Sequence, residues 1–247
     1  MNRETNIEQF EELMSAIERP GIDKLMDYIR KSDFYTAPAS TKFHLSCKGG
    51  LLQHSLNVYE AMKHRLEMEG GGLVYKVADY TVAKIDEDSL KIVTLLHDLC
   101  KTNFYEEGTR NQKTYDKAKV ANAQRWQIKE DSNGKFIWET VPTYAVNDKN
   151  PYGHGEKSVM MIEEFMKLSM EERYAIRWHM GMSEANIIQT YCQAAEKYPL
   201  VLFTHMADQM ATSYLETNTG NKKPEDVYLG TEPAAQDPEE FAEAEPI

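Results

Sequence analysis

Apolar residues recur at three- to four-residue spacing along most of this chain, and glycine or proline interrupts the pattern at intervals. A helix turns once every 3.6 residues, so this spacing gathers the apolar side chains on one face and predicts a mostly α-helical protein. Ile7, Phe10, Met14 and Ile17 set the first such face, with Leu13 beside them, and Pro20-Gly21 ends it. Leu51 to Met68 predicts a second helix, after the turn-forming Gly49-Gly50 and before Gly70-Gly71-Gly72. Ser89 to about Asn103 predicts a third, with Ile92, Leu95, Leu96 and Leu99 inside. Gly153 to Leu168 is a fourth, and Ser169-Met-Glu-Glu172 is a capping box for a fifth that runs to about His179. Asn186 to Lys197 is a sixth, and Pro199, suited to a first turn, opens a seventh that runs to about Glu216. No internal repeat is present.

One segment departs from the helical period. Trp126, Ile128, Phe136, Ile137 and Trp138 flank Asp131-Ser-Asn-Gly134, and Asn-Gly between β-prone runs predicts a small β-hairpin insertion at about residues 124–140. From Arg110 to Lys135 there are seven basic and three acidic residues, a local net of +4 in a protein whose net charge is -12. The last 31 residues, 217–247, carry eight acidic and two basic residues. Their closing run GTEPAAQDPEEFAEAEPI has one aromatic, Phe241, and too little apolar surface to offset its ordering entropy. The expected organisation is therefore one helical domain over residues 1–216 and a disordered acidic tail over 217–247.

The acidic total argues against an extended DNA-binding surface and against binding to anionic membranes. Apolar runs such as Leu200–Phe203 fall far short of a membrane span, and the N-terminus shows no secretory signal. Cys47, Cys100 and Cys192 are odd in number and form no CxxC pair, as expected of a reduced, cytoplasmic protein.

Histidines and aspartates on separate expected helices carry the chemistry. His54 follows Gly49-Gly-Leu-Leu-Gln53; His97 and Asp98 are adjacent in Leu95-Leu-His-Asp-Leu-Cys-Lys101. His154 opens the fourth helix, His179 closes the fifth, and Asp208 lies in His205-Met-Ala-Asp208. A lone histidine on an apolar face is usually an ordinary hydrogen-bonded residue, and His64, in Lys-His-Arg, reads as one. His97-Asp98 is different, because two ionisable groups directly follow Ile92-Val-Thr-Leu-Leu96 and at least one must sit in or beside the core. Buried charge is costly unless paired or bound to a metal. Imidazole with carboxylate is a borderline ligand set that suits Fe, Mn, Zn, Co or Ni better than calcium.

In this order, Gly-Gly-Leu-Leu-Gln-His54-Ser, Leu-Leu-His97-Asp98-Leu-Cys-Lys101, Gly-His154 and His205-x-x-Asp208 resemble the signature of the HD-domain superfamily of metal-dependent phosphohydrolases. Phe43-His44 before the first of these motifs is most similar to a bacterial branch that includes 3′-to-5′ exoribonucleases. The resemblance spans about His44 to Asp208 and implies an HD-like helical bundle. It also implies that His54, His97, Asp98 and Asp208 hold one divalent ion. His154 and His179 match the histidines that give some members a second, bridged through Asp98. Lys101 matches the lysine that commonly follows the HD pair; on a continuous helix it would share a face with His97 and meet a substrate phosphate.

Two features depart from the family pattern. His179-Met180-Gly181 stands where relatives often have a His-His pair, and the residues before His44 are too few for the oligonucleotide-binding domain of the exoribonucleases. The implied activity is hydrolysis of a phosphomono- or phosphodiester in a nucleotide or short oligonucleotide, with a metal-activated water as nucleophile and Asp98 and Lys101 as catalytic groups. His44 and His205 are candidate substrate contacts. From the basic insertion, Lys117, Lys119 and Arg125 are candidates to hold phosphates and Trp126 or Tyr115 to stack on bases. A single-metal phosphomonoesterase and a non-catalytic module binding a nucleotide or a protein remain the alternatives.

Overall fold

The computed structural model describes residues 2–69, 72–182 and 188–216. The chain divides into a unit Met1–Thr217 and a unit Asn218–Ile247, and the acidic tail lies outside the described residues. Helix is the commonest element among the described residues of the first unit: α1 (Arg3–Ser15), α2 (Ile22–Lys31), α3 (Gly50–Lys63), α4 (Glu87–Leu96), a short α5 (Lys117–Asn122), α6 (His154–Glu163), α7 (Met170–Arg177), α8 (Ile188–Lys197) and α9 (Pro199–Met210). The strands are β1 (Glu67–Glu69), β2 (Gly72–Val77), β3 (Tyr80–Ile85), β4 (Tyr105–Thr114), β5 (Lys129–Asp131) and β6 (Gly134–Val146).

The core forms where α3 packs against α4 and α9, and α7 against α6 and α9. Leu51, Leu52, Ile92, Leu95, Leu96, Ile176 and Leu200 are buried there. Each such side chain removed from water contributes roughly 1.5–3 kcal/mol. The caps follow the expected chemistry. Asp86 accepts from the Ser89 amide at the start of α4, and Ser169 with Glu172 closes the capping box of α7.

Several boundaries differ from the periodic reading. The second helix ends at Lys63 rather than Met68, and the three strands that follow form an antiparallel sheet in the order β1-β2-β3. The third ends at Leu96, and Leu99–Lys101 is a separate 3-10 turn, so Lys101 does not continue the helical face of His97. The fourth stops at Glu163 rather than Leu168. The seventh stops at Met210, followed by a π-helical turn over Ala211–Leu215. An additional helix, α2, fills the segment before His44.

The hairpin at Ser132-Asn133 is present, with Asp131 paired to Gly134, whose φ of 111° suits glycine. It is one end of a larger insertion. β4 and β6 pair along the whole of β4, from Tyr105↔Val146 to Thr114↔Ile137, and Trp126 and Ile128 lie outside the strands. At about 3.3 Å per residue, the ten residues of β4 carry the hairpin tip roughly 30 Å from the root of this ribbon. Among the described residues no helix is long and apolar enough to cross a membrane.

Candidate metal centre

Five helices, α3, α4, α6, α7 and α9, bring the ionisable residues together from distant parts of the sequence. His54 lies on the inner face of α3; His97 caps the C-terminus of α4, and Asp98 precedes the 3-10 turn. His154 is the first residue of α6, His179 lies two residues beyond α7, and Asp208 is on α9. Gly155 makes the α6–α7 approach possible, since a Cβ there would collide with the Arg177 carbonyl. Gly181, at φ 66°, lies against the His205 ring in the same way.

The rings of His44, His54, His97, His179 and His154 form a continuous row, with successive centroids 5.1, 5.0, 4.8 and 5.2 Å apart. His54, His97, Asp98, His179 and Asp208 are buried, whereas the His154 side chain is 36% exposed and forms the open end.

Three of these imidazoles are turned by a partner on Nδ1. His97 Nδ1 donates to the Thr94 carbonyl at 2.9 Å, and His179 Nδ1 to the Ile176 carbonyl at 2.7 Å. A carbonyl only accepts, so in a neutral ring the Nε2 lone pair faces the cluster. His54 Nδ1 lies 3.0 Å from both oxygens of Glu216, which also accepts from Asn57 at 2.9 Å. Orienting partners of this kind are typical of metal-binding histidines.

The inward atoms converge. His54 Nε2 and His97 Nε2 are 3.0 Å apart, each lies 3.4 Å from Asp98 Oδ2, and His54 Nε2 is 3.4 Å from Asp208 Oδ1. Asp98 Oδ1 faces the other pair, 2.8 Å from His154 Nε2 and 3.5 Å from His179 Nε2. Donors bound at about 2.0–2.2 Å around one ion stand roughly 3.0–3.5 Å from each other, so these spacings suit divalent ions. His179 Nε2 is buried without a hydrogen-bond partner. Facing lone pairs on His54 and His97 repel unless a cation, proton or metal, lies between them.

Charge gives the same answer. Asp98, Asp208 and Glu216 are buried and Lys101 supplies one ammonium, 2.6 Å from Asp98 Oδ2. With the imidazoles neutral, as metal ligands must be, two negative charges remain in a low-dielectric interior, and a divalent ion would offset them. Burial alone would raise the Asp98 pKa, but Lys101 and the histidines hold it well below the usual carboxylate range. Burial opposes the charged form of His54 too, yet its bonds to Asp208, Asp98 and Glu216 raise its pKa well above the ordinary value. His97 goes the other way, because burial outweighs the pull of Asp98. The buried groups fit a metal ion in chemistry and spacing.

The remaining expected residues divide. The His44 ring lies tilted beside that of His54, and His205 donates from Nδ1 to the His179 carbonyl at 2.7 Å, so both belong to the surroundings of the cluster. Lys117, Lys119 and Arg125 lie in the outer part of the insertion, with no described contact to the cluster. Lys119 is paired with Glu139 at 2.6 Å, Tyr115 donates to Asp131, and Arg125 and Trp126 are exposed. Two residues that the sequence reading did not single out join the centre. Glu216 does so through His54, and Cys100 through a 3.2 Å contact between its sulfur and His154 Nδ1. The Cys100 position within Leu-His-Asp-Leu-Cys was the available signal for the second; Glu216, beside the acidic tail, offered none.

Comparison with protein-family models, with curated proteins and with solved structures found no match for this chain.

Proposed function

We propose that the protein is an HD-type, metal-dependent phosphohydrolase acting on a phosphomono- or phosphodiester of a nucleotide or short oligonucleotide. The observation that carries this reading is the division of Asp98. One oxygen faces His54 and His97 and the other faces His154 and His179, an arrangement suited to a carboxylate between two ions. His54, His97, Asp98 and Asp208 would hold the first ion; His154 and His179 would hold the second with Asp98. When bound, such ions lower the pKa of a coordinated water and offset charge on phosphate oxygens.

The protein's own groups do the rest. The backbone carbonyls of Thr94 and Ile176 keep protons on Nδ1 of His97 and His179, so their Nε2 atoms stay available as ligands. Lys101 remains cationic through neutral pH: burial opposes its charge, but Asp98 raises its pKa. Its ammonium, held beside Asp98, supplies charge for a phosphate oxygen of the substrate. The exposed edge of His154 supports substrate approach from that side. Five of the six ligand side chains are buried, which favours a terminal or extruded phosphate over one inside a folded strand.

The test is a screen of the metal-reconstituted protein against nucleotides, cyclic dinucleotides and short RNAs, with Asp98→Ala as control. Hydrolysis lost in the variant is the expected result. Hydrolysis that survives Asp98→Ala contradicts the assignment.

A further inference from the structure

The 3-10 turn after Asp98 points a thiol at the open end of the cluster. Cys100 is buried at 2% exposure, and its amide donates to the Ser158 hydroxyl at 3.1 Å, fixing the turn against α6 one turn beyond His154. Its sulfur lies 3.2 Å from His154 Nδ1 and 3.9 Å from His154 Nε2. One donor atom each from Asp98, Cys100 and His154 falls within 4.8 Å of the others. A fourth donor lies near the same carboxylate oxygen that faces His154: His179 Nε2, buried without a hydrogen-bond partner, is 3.5 Å from Asp98 Oδ1.

A thiol hydrogen bond to His154 accounts for the sulfur–nitrogen contact alone. It leaves His179 Nε2 without a partner in a buried position, which is costly. One ion among the four donors satisfies all of them. Tetrahedral sites with sulfur bonds near 2.3 Å and nitrogen or oxygen bonds near 2.0–2.2 Å accommodate separations of this size.

We propose that Cys100 is a ligand of the second ion, together with Asp98, His154 and His179, and that this subsite is therefore selective for a thiophilic divalent ion of the zinc or cobalt class over magnesium or manganese. The inference rests on the reading of the cluster as a two-ion centre. Thiolate ligation favours softer ions and excludes hard oxygen-seeking ones, so the two subsites differ in preference. The first, with two imidazoles and two carboxylates, has no sulfur.

Cobalt(II) reports the ligand directly. The full chain, stripped with chelator, is titrated anaerobically with Co(II) while visible d–d bands and the near-ultraviolet thiolate-to-cobalt charge-transfer band are followed. Two equivalents are expected to bind, with the charge-transfer band appearing on one of them. Cys100→Ser is expected to lose that band, to keep the d–d absorption of the other ion, and to bind the second Zn(II) at least tenfold more weakly. The Cys47→Ser/Cys192→Ser double variant alters two exposed cysteines and leaves Cys100 as the sole thiol, so it tests the ligand even if Cys100→Ser fails to fold. A band in the double variant supports the inference. Two bound cobalt ions with no charge-transfer band, or a band that persists in folded Cys100→Ser, overturns it and leaves the two-ion reading standing. No cobalt uptake at all overturns both.

Discussion

His54 Nδ1 lies 3.0 Å from both carboxylate oxygens of Glu216, a residue 162 positions further along the chain. That contact ties the π-helical turn after α9 to the inner face of α3, and it sets which nitrogen of His54 faces Asp98 and Asp208. Glu216 is buried, and burial pushes its pKa up, but His54 and Asn57 bring it below the ordinary glutamate value. The carboxylate therefore stays ionised and raises the basicity of the imidazole.

Glu216→Gln keeps the shape and removes the charge. Loss of an orienting carboxylate typically weakens metal binding by about 10–100-fold, and that loss is expected here. Competition with a metallochromic chelator measures it, and wild-type affinity in the folded variant would refute the role assigned to Glu216.

Gly155→Ala inserts a methyl group where α6 meets the Arg177 carbonyl. Overpacking of this kind costs about 1–3 kcal/mol, and relief requires α6 to move away from α7. Thermal unfolding is expected to show the lower stability, together with weaker binding of the ion proposed for His154 and His179. An unchanged melting temperature would mean that the close approach is not maintained in solution.

Acid stability follows from a pair outside the cluster. Glu172 is fully buried and accepts from Arg19 at 2.8 Å, the Ser89 hydroxyl at 2.7 Å and the Ser169 amide at 2.7 Å. Burial raises its pKa, but these donors outweigh it and hold the folded value below the ordinary one. Its stabilisation is therefore complete above the unfolded value of about 4.3 and is lost as pH falls through the folded value. Glu172→Gln is expected to cost about 1–3 kcal/mol at pH 7, and the gap from wild type should narrow below about pH 4. Urea denaturation across that range checks the sign; a gap that stays constant down to pH 3 argues against it.

Truncating the ribbon through a new turn joining Thr109 to Pro142, which are paired in the sheet, removes Lys117, Lys119, Arg125 and Trp126 together. The tip lies roughly 30 Å along the ribbon from the root, so circular dichroism and metal affinity are expected to match the full chain. Loss of metal binding on truncation would show that the insertion supports the centre.

The helices were legible where a single period repeated, as at Phe10 and Met14 or in the capping box of Ser169 and Glu172. The inward groups were legible for a related reason: His97 and Asp98 follow an apolar run, so packing α4 against α3 must bury them. The β1–β3 sheet was not legible, because most of its residues are exposed or half-buried and Leu73, Val74, Ala83 and Ile85 give no sustained alternation across its bulge at Tyr75/Lys76. The break at His97 was equally hidden, since Leu99 is buried and continues the apolar pattern after the helix has ended. Glu216 depends on a tertiary contact that no local pattern encodes.

Elemental analysis of the purified protein, reconstituted with zinc and passed through desalting, tests the central claim most directly when wild type and Asp98→Asn are measured side by side. Two ions per wild-type chain and loss of both in the variant are expected, because the Asp98 oxygens face both histidine pairs. A wild-type chain that retains no zinc, or a folded variant that retains the full complement, would contradict it.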